Sequence, residues 1–64
     1  MNQVIAAFKK QFEELSPYFD ERTKRLYAAS VAKQIGHGGI KQASILTQIS
    51  EDTVASGVEE LGDP

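Results

Sequence analysis

The chain has 64 residues, enough for one small domain and no more. Hydrophobic residues make up 41% and charged residues 25%, which excludes a disordered tail or a coiled-coil rod. A net charge of −2 argues against a uniformly electropositive nucleic-acid binder, and the lack of cysteine excludes disulfide staples and cysteine-based zinc sites.

The elements follow in chain order, with no internal repeat and no low-complexity tract. Val4, Ile5, Phe8, Phe12 and Leu15 recur at helical spacing and predict a first helix over residues 1–16. Lys9, Lys10, Glu13 and Glu14 fall on its other side. Pro17 has no amide donor and pushes Ser16 out of the helical region, so the segment ends there. Asp20 is a good N-cap for a second helix over 20–36, and Glu21 suits its first turn. Tyr27, Ala28, Val31, Ala32 and Ile35 share one broad face of it. Gly36-His37-Gly38-Gly39 then stops the helix as a turn. A short third helix runs from about Ile40 to Thr47, with Ile40, Ala43, Leu46 and Thr47 inward. Gln48-Ile49 makes a tight connection, and Ser50 caps a fourth helix with Glu51 and Asp52 in its first turn. Val54, Val58 and Leu61 recur inside it, and Gly62-Asp63-Pro64 ends it. The five aromatic residues, Phe8, Phe12, Tyr18, Phe19 and Tyr27, read as core. The expected fold is all-α, a small bundle of about four helices in a single domain.

The longest apolar run, Val4 to Phe8, is far short of the about 20 residues that span a bilayer. The N-terminus lacks the order of a secretory signal, so the expected location is the cytoplasm.

Two short helices joined by a tight turn form a helix-turn-helix, and residues 40–62 fit that skeleton. In such a motif the start of the second helix meets base edges in the major groove. The outward residues there are Ser50, Glu51, Asp52, Ala55 and Ser56, with Gln48 in the turn. None is basic, whereas lysine and arginine supply most phosphate attraction and guanine contacts. Charge is unevenly distributed along the chain. Residues 1–35 hold six basic against four acidic groups, and residues 36–64 hold Lys41 against five acidic groups.

Glu21-Arg22, Arg25-Leu26, Ala28-Ala29, Ala32, Gly38-Gly39-Ile40, Thr47, Ser50, Thr53, Gly57 and Glu60-Leu61 carry a resemblance. On these residues the chain resembles the N-terminal region of the Rhodopirellula-type DDE transposases of bacterial insertion sequences. The resemblance implies a DNA-binding head that recognises the element's ends, ahead of an RNase H-like catalytic domain with metal-binding carboxylates. Sixty-four residues cannot hold that domain, so no catalysis is expected of this chain. The chain differs from the family pattern in the turn, where Gln48 replaces the usual glycine. It differs again after Ser50, where basic residues are usual.

The resulting expectations are specific. Gln48, Ser50, Glu51, Asp52 and Ser56 face the bases. Arg22, Lys24, Arg25, Lys33 and Lys41 hold the DNA backbone, while Lys9 and Lys10 face solvent. Double-stranded DNA is the expected partner, insertion-sequence ends under the resemblance, with a second copy of the chain as a further candidate. No cofactor, metal, membrane or small-molecule substrate is implied. His37 is the sole histidine, and adjacent carboxylates on a helix diverge by about 100°. The segment Gly36 to Gly39 lacks the Lys-Ser/Thr of a phosphate loop. The alternative function is a protein-interaction or dimerisation module on the same scaffold, using the acidic fourth helix.

Overall fold

In the computed structural model, residues 2–62 are described, apart from the side chains of Asn2 and Val4. Four α-helices are present among them, and no strand. They are α1 (Asn2–Leu15), α2 (Glu21–Ile35), α3 (Gly39–Thr47) and α4 (Glu51–Gly62), with a 3-10 turn at Ser16–Tyr18. The expected stop at Asp63-Pro64 and the inward placing of Val4 lie outside the described residues.

Each helix boundary has a local cause. The first helix ends at Leu15, one residue earlier than expected, and Pro17 does not halt the chain. Its fixed φ suits the first positions of a helical turn, so a 3-10 turn carries on to Tyr18. The Asp20 carboxylate accepts the Thr23 amide at 2.7 Å and starts α2. Gly36 stops that helix at φ 86°, and its amide still bonds the Ala32 carbonyl at 3.0 Å. Its backbone conformation is one that residues with a Cβ rarely adopt.

The core joins all four helices. Phe12 of α1, Ala28, Val31 and Ala32 of α2, Ala43 and Leu46 of α3, and Val54 of α4 form one buried cluster. Small residues let the helices approach closely. A Cβ on Gly57 of α4 would lie 2.8 Å from the Arg25 carbonyl oxygen and 2.9 Å from the Ala29 Cβ. One on Gly39 would overlap the Ala32 carbonyl. Tyr27 ties α1 and the 3-10 link to α2. Its ring packs tilted against Phe12 and Phe19, at 5.7 and 5.6 Å between centroids, and its hydroxyl donates to Gln11 at 2.6 Å. Burial raises the pKa of that hydroxyl above its ordinary value.

Three apolar residues read as inward face outward. Tyr18 is 85% exposed, because the 3-10 turn aims it away while Phe19 takes the inward place. Leu15 and Leu61, at the ends of α1 and α4, run past the core and are exposed.

Candidate nucleic-acid interface

The turn between α3 and α4 spans residues 48–50 and is braced by hydrogen bonds on both sides. The Thr47 hydroxyl, buried, donates to the Ala43 carbonyl at 2.7 Å and accepts the Ile49 amide at 3.3 Å. Gln48 donates its amide to the Ser44 carbonyl at 2.8 Å and takes the left-handed conformation, φ 61° and ψ 26°. Ile49 tucks against the core between them. Ser50 then caps α4: its hydroxyl accepts the Thr53 amide at 3.2 Å and donates to the Thr53 hydroxyl at 2.9 Å. Gly57 seats the inner face of α4 on α2. These contacts fix the angle between α3 and α4, leaving the outer face of α4 uncovered.

All five base-facing candidates, Gln48, Ser50, Glu51, Asp52 and Ser56, are exposed. They gather on the turn and the first half of α4. The chemistry they present is acceptor-rich. Glu51 and Asp52 occupy the first turn of the helix, where a carboxylate complements the dipole that would otherwise attract a phosphate. No lysine or arginine lies on α4.

The five backbone candidates divide into separate groups. Arg25 reaches across to α4, where its guanidinium forks onto Glu60, with Nε 2.6 Å and one terminal nitrogen 3.2 Å from the two carboxylate oxygens. The hydrogen bond from Arg25 holds the Glu60 carboxyl below its ordinary value, and the charge of nearby Arg22 adds to this. In turn the Glu60 carboxylate raises the pKa of Arg25. Arg22 and Arg25 therefore flank the end of α4, with Lys24 half-buried between them in sequence. Glu60 lies about 13 Å along the helix from Glu51, at 1.5 Å per residue. Arg22 and Arg25 thus stand toward the far end of α4 from Gln48, Ser50, Glu51 and Asp52, with Ser56 between, next to the Gly57 that packs on Arg25.

Lys33 and Lys41 form the second group. Gly39 packs on the Ala32 backbone, so the last turn of α2 and the first turn of α3 meet at one corner. Lys33 on that turn of α2, His37 in the connection and Lys41 early in α3 are all exposed. Lys9 and Lys10 are exposed on α1, as expected.

Sequence reasoning missed three features of this site. The buried Thr47 hydroxyl braces the turn, the Arg25–Glu60 pair spans 35 residues, and Gly57 allows close approach. Only Gly57 gave a local signal, since a mid-helix glycine costs about 1 kcal/mol relative to alanine and calls for a packing reason. Among the described residues no helix is long and apolar enough to cross a membrane. Among the same residues no group of three or more histidine, cysteine or carboxylate side chains gathers to hold a metal ion.

No family model, curated protein or solved structure matches the chain. Several of the small and hydroxyl residues singled out in the sequence have identifiable physical roles. Ala28, Ala29, Ala32, Gly39 and Gly57 sit at the helix crossings, and Thr47, Ser50 and Thr53 build the turn and cap. Together they set how α2, α3 and α4 pack.

Proposed function

We propose that the chain is the DNA-binding head of a transposase-like protein, non-catalytic as it stands. One observation carries this reading: the turn at 48–50 holds two helices rigidly and leaves the outer face of α4 free. Gln48, Ser50, Glu51, Asp52 and Ser56 would approach the bases. Serine and glutamine read base edges in either polarity, and a carboxylate accepts from cytosine N4. Lys33 and Lys41 at the α2–α3 corner, together with Arg22, would hold phosphates. Arg25 contributes less, because Glu60 already engages its guanidinium.

The test is fluorescence anisotropy of a labelled random duplex titrated with the chain at two salt concentrations. Binding that weakens steeply with salt is expected. Lys33→Glu combined with Lys41→Glu should weaken it further and flatten the salt slope by roughly two contacts' worth. No binding at low salt, or binding that ignores both substitutions, overturns the reading. The acidic first turn of α4 favours a second reading, in which α4 packs on a partner protein, and absence of duplex binding would support it.

A further inference from the structure

We infer, on the DNA-binding reading proposed above, that Glu60 competes with DNA phosphates for Arg25, so that the α2–α4 ion pair guards a second phosphate-holding site formed by Arg22 and Arg25. The guanidinium of Arg25 meets the two Glu60 carboxylate oxygens through Nε at 2.6 Å and one terminal nitrogen at 3.2 Å. That fork is the geometry in which arginine also takes a phosphate. It uses two of the five N–H donors of the group. The pair is open to solvent, with 29% of the Arg25 side chain and 37% of the Glu60 side chain exposed. A phosphate can therefore reach the arginine, and an exposed ion pair holds its partners weakly.

The arginine does not owe its position to Glu60 alone. Its stem runs past Gly57, where a Cβ would lie 3.0 Å from the Arg25 Cγ, so the crossing of α2 and α4 already directs the head. Arg22 lies one helical turn back on the same side of α2, and its charge also acts on the Glu60 carboxylate. With Glu60 in place, one carboxylate offsets half of this two-arginine patch. Without it, Arg22 and Arg25 present two adjacent cations to the duplex backbone. Glu59 provides the contrast. It is exposed at the preceding position of α4 and carries the same charge, but the one ion pair among the described residues is Arg25–Glu60.

Anisotropy titrations of a labelled random duplex with the full chain, at several salt concentrations, test the competition, with circular dichroism to check that each variant folds. Glu60→Gln and Glu60→Ala should each bind several-fold more tightly than the wild type at low salt. Their salt dependence should steepen by up to about 0.9 in the logarithmic slope, one phosphate contact. Glu59→Gln removes the same charge and should gain much less. Arg25→Gln should cost little in the wild type and should abolish the gain in the Glu60→Ala background. Glu60 variants that bind no more tightly than the wild type overturn the proposal. So does a Glu59→Gln gain as large as that of Glu60→Gln, or a gain that survives Arg25→Gln, since either reduces Glu60 to general repulsion. Duplex binding absent from the wild type and from every Glu60 variant overturns the DNA-binding reading as well, whereas wild-type binding that ignores Glu60 overturns the competition alone.

Discussion

Replacing three helical glycines by alanine, one at a time, should give three different outcomes. Gly62 has no neighbouring atom within 4 Å of a built Cβ, so alanine there gains helix propensity. The expected stabilisation is up to about 1 kcal/mol, reduced by fraying at the helix end. At Gly57 the same gain is opposed. The new methyl would sit 2.8 Å from the Arg25 carbonyl oxygen and 2.9 Å from the Ala29 Cβ, neither of which can swing aside. Relieving the clash means separating α2 from α4, at an overpacking cost near the upper end of about 1–3 kcal/mol. After the propensity gain, the net loss is about 1–2 kcal/mol. Gly39 is the most severe case, because its methyl would overlap the Ala32 carbonyl, which also accepts the Gly36 amide. A loss of about 3 kcal/mol or more is expected, against a total stability of about 3–5 kcal/mol for a core this small. Urea unfolding followed by far-ultraviolet circular dichroism gives all three values. Thermal midpoints should move by roughly 4–8 °C for each kcal/mol. A Gly57→Ala variant at least as stable as the wild type would refute the close α2–α4 crossing on which the placing of α4 depends.

Gln48→Gly should stabilise the chain by about 0.5–1 kcal/mol in thermal unfolding. Relief of the left-handed backbone is worth roughly 1–2 kcal/mol, and the freer unfolded chain takes back about half of it. An unchanged or lower midpoint would mean that the Gln48 side chain contributes to the turn. Acid should weaken the fold through two carboxylates. Asp20 and Glu60 are held below their ordinary values of 3.8 and 4.5, by the Thr23 amide and by Arg25 respectively. Depressed folded values mean that this stability is full above the ordinary values and is lost as pH falls through the folded ones. The urea midpoint should therefore drop on acidification below the ordinary values, and Glu60→Gln should flatten the upper part of that drop. An identical pH profile in Glu60→Gln would remove the Arg25 pair from the account.

Much of the scaffold was legible because its causes are local. A carboxylate or hydroxyl three residues ahead of an amide announces a helix start, and both Asp20 and Ser50 act in that way. Apolar spacing picked out Ala28, Val31, Ala32, Ala43, Leu46 and Val54, all of which are buried. The residues it misplaced share a different cause. Tyr18, Leu15 and Leu61 lie at segment ends, where periodicity says which side a residue faces but not whether a neighbouring helix extends that far. The candidate site was less legible for the same reason. Whether Arg25 meets a phosphate or Glu60 depends on the crossing of two helices separated by 35 positions, and no local pattern encodes it.

The outer face of α4 gives the most direct test of function. Its inner face is fixed by Val54 and Gly57, and its start by Ser50, so Glu51 and Asp52 are free of tertiary contacts that substitution would break. Their carboxylates favour the helix dipole but put negative charge where a major groove would have to approach. Glu51→Arg with Asp52→Arg should therefore keep the fold, with a modest loss of helix stability from the reversed dipole interaction. If this face meets DNA, the double variant should bind a random duplex more tightly at low salt. Its salt dependence should steepen by roughly two phosphate contacts, close to 0.9 each in the logarithmic slope. Anisotropy titrations at several salt concentrations, paired with a thermal melt, separate the two effects. Unchanged affinity in a folded variant would mean that this end of α4 does not lie against DNA, and the base-facing assignment of Gln48, Ser50 and Ser56 would fall with it.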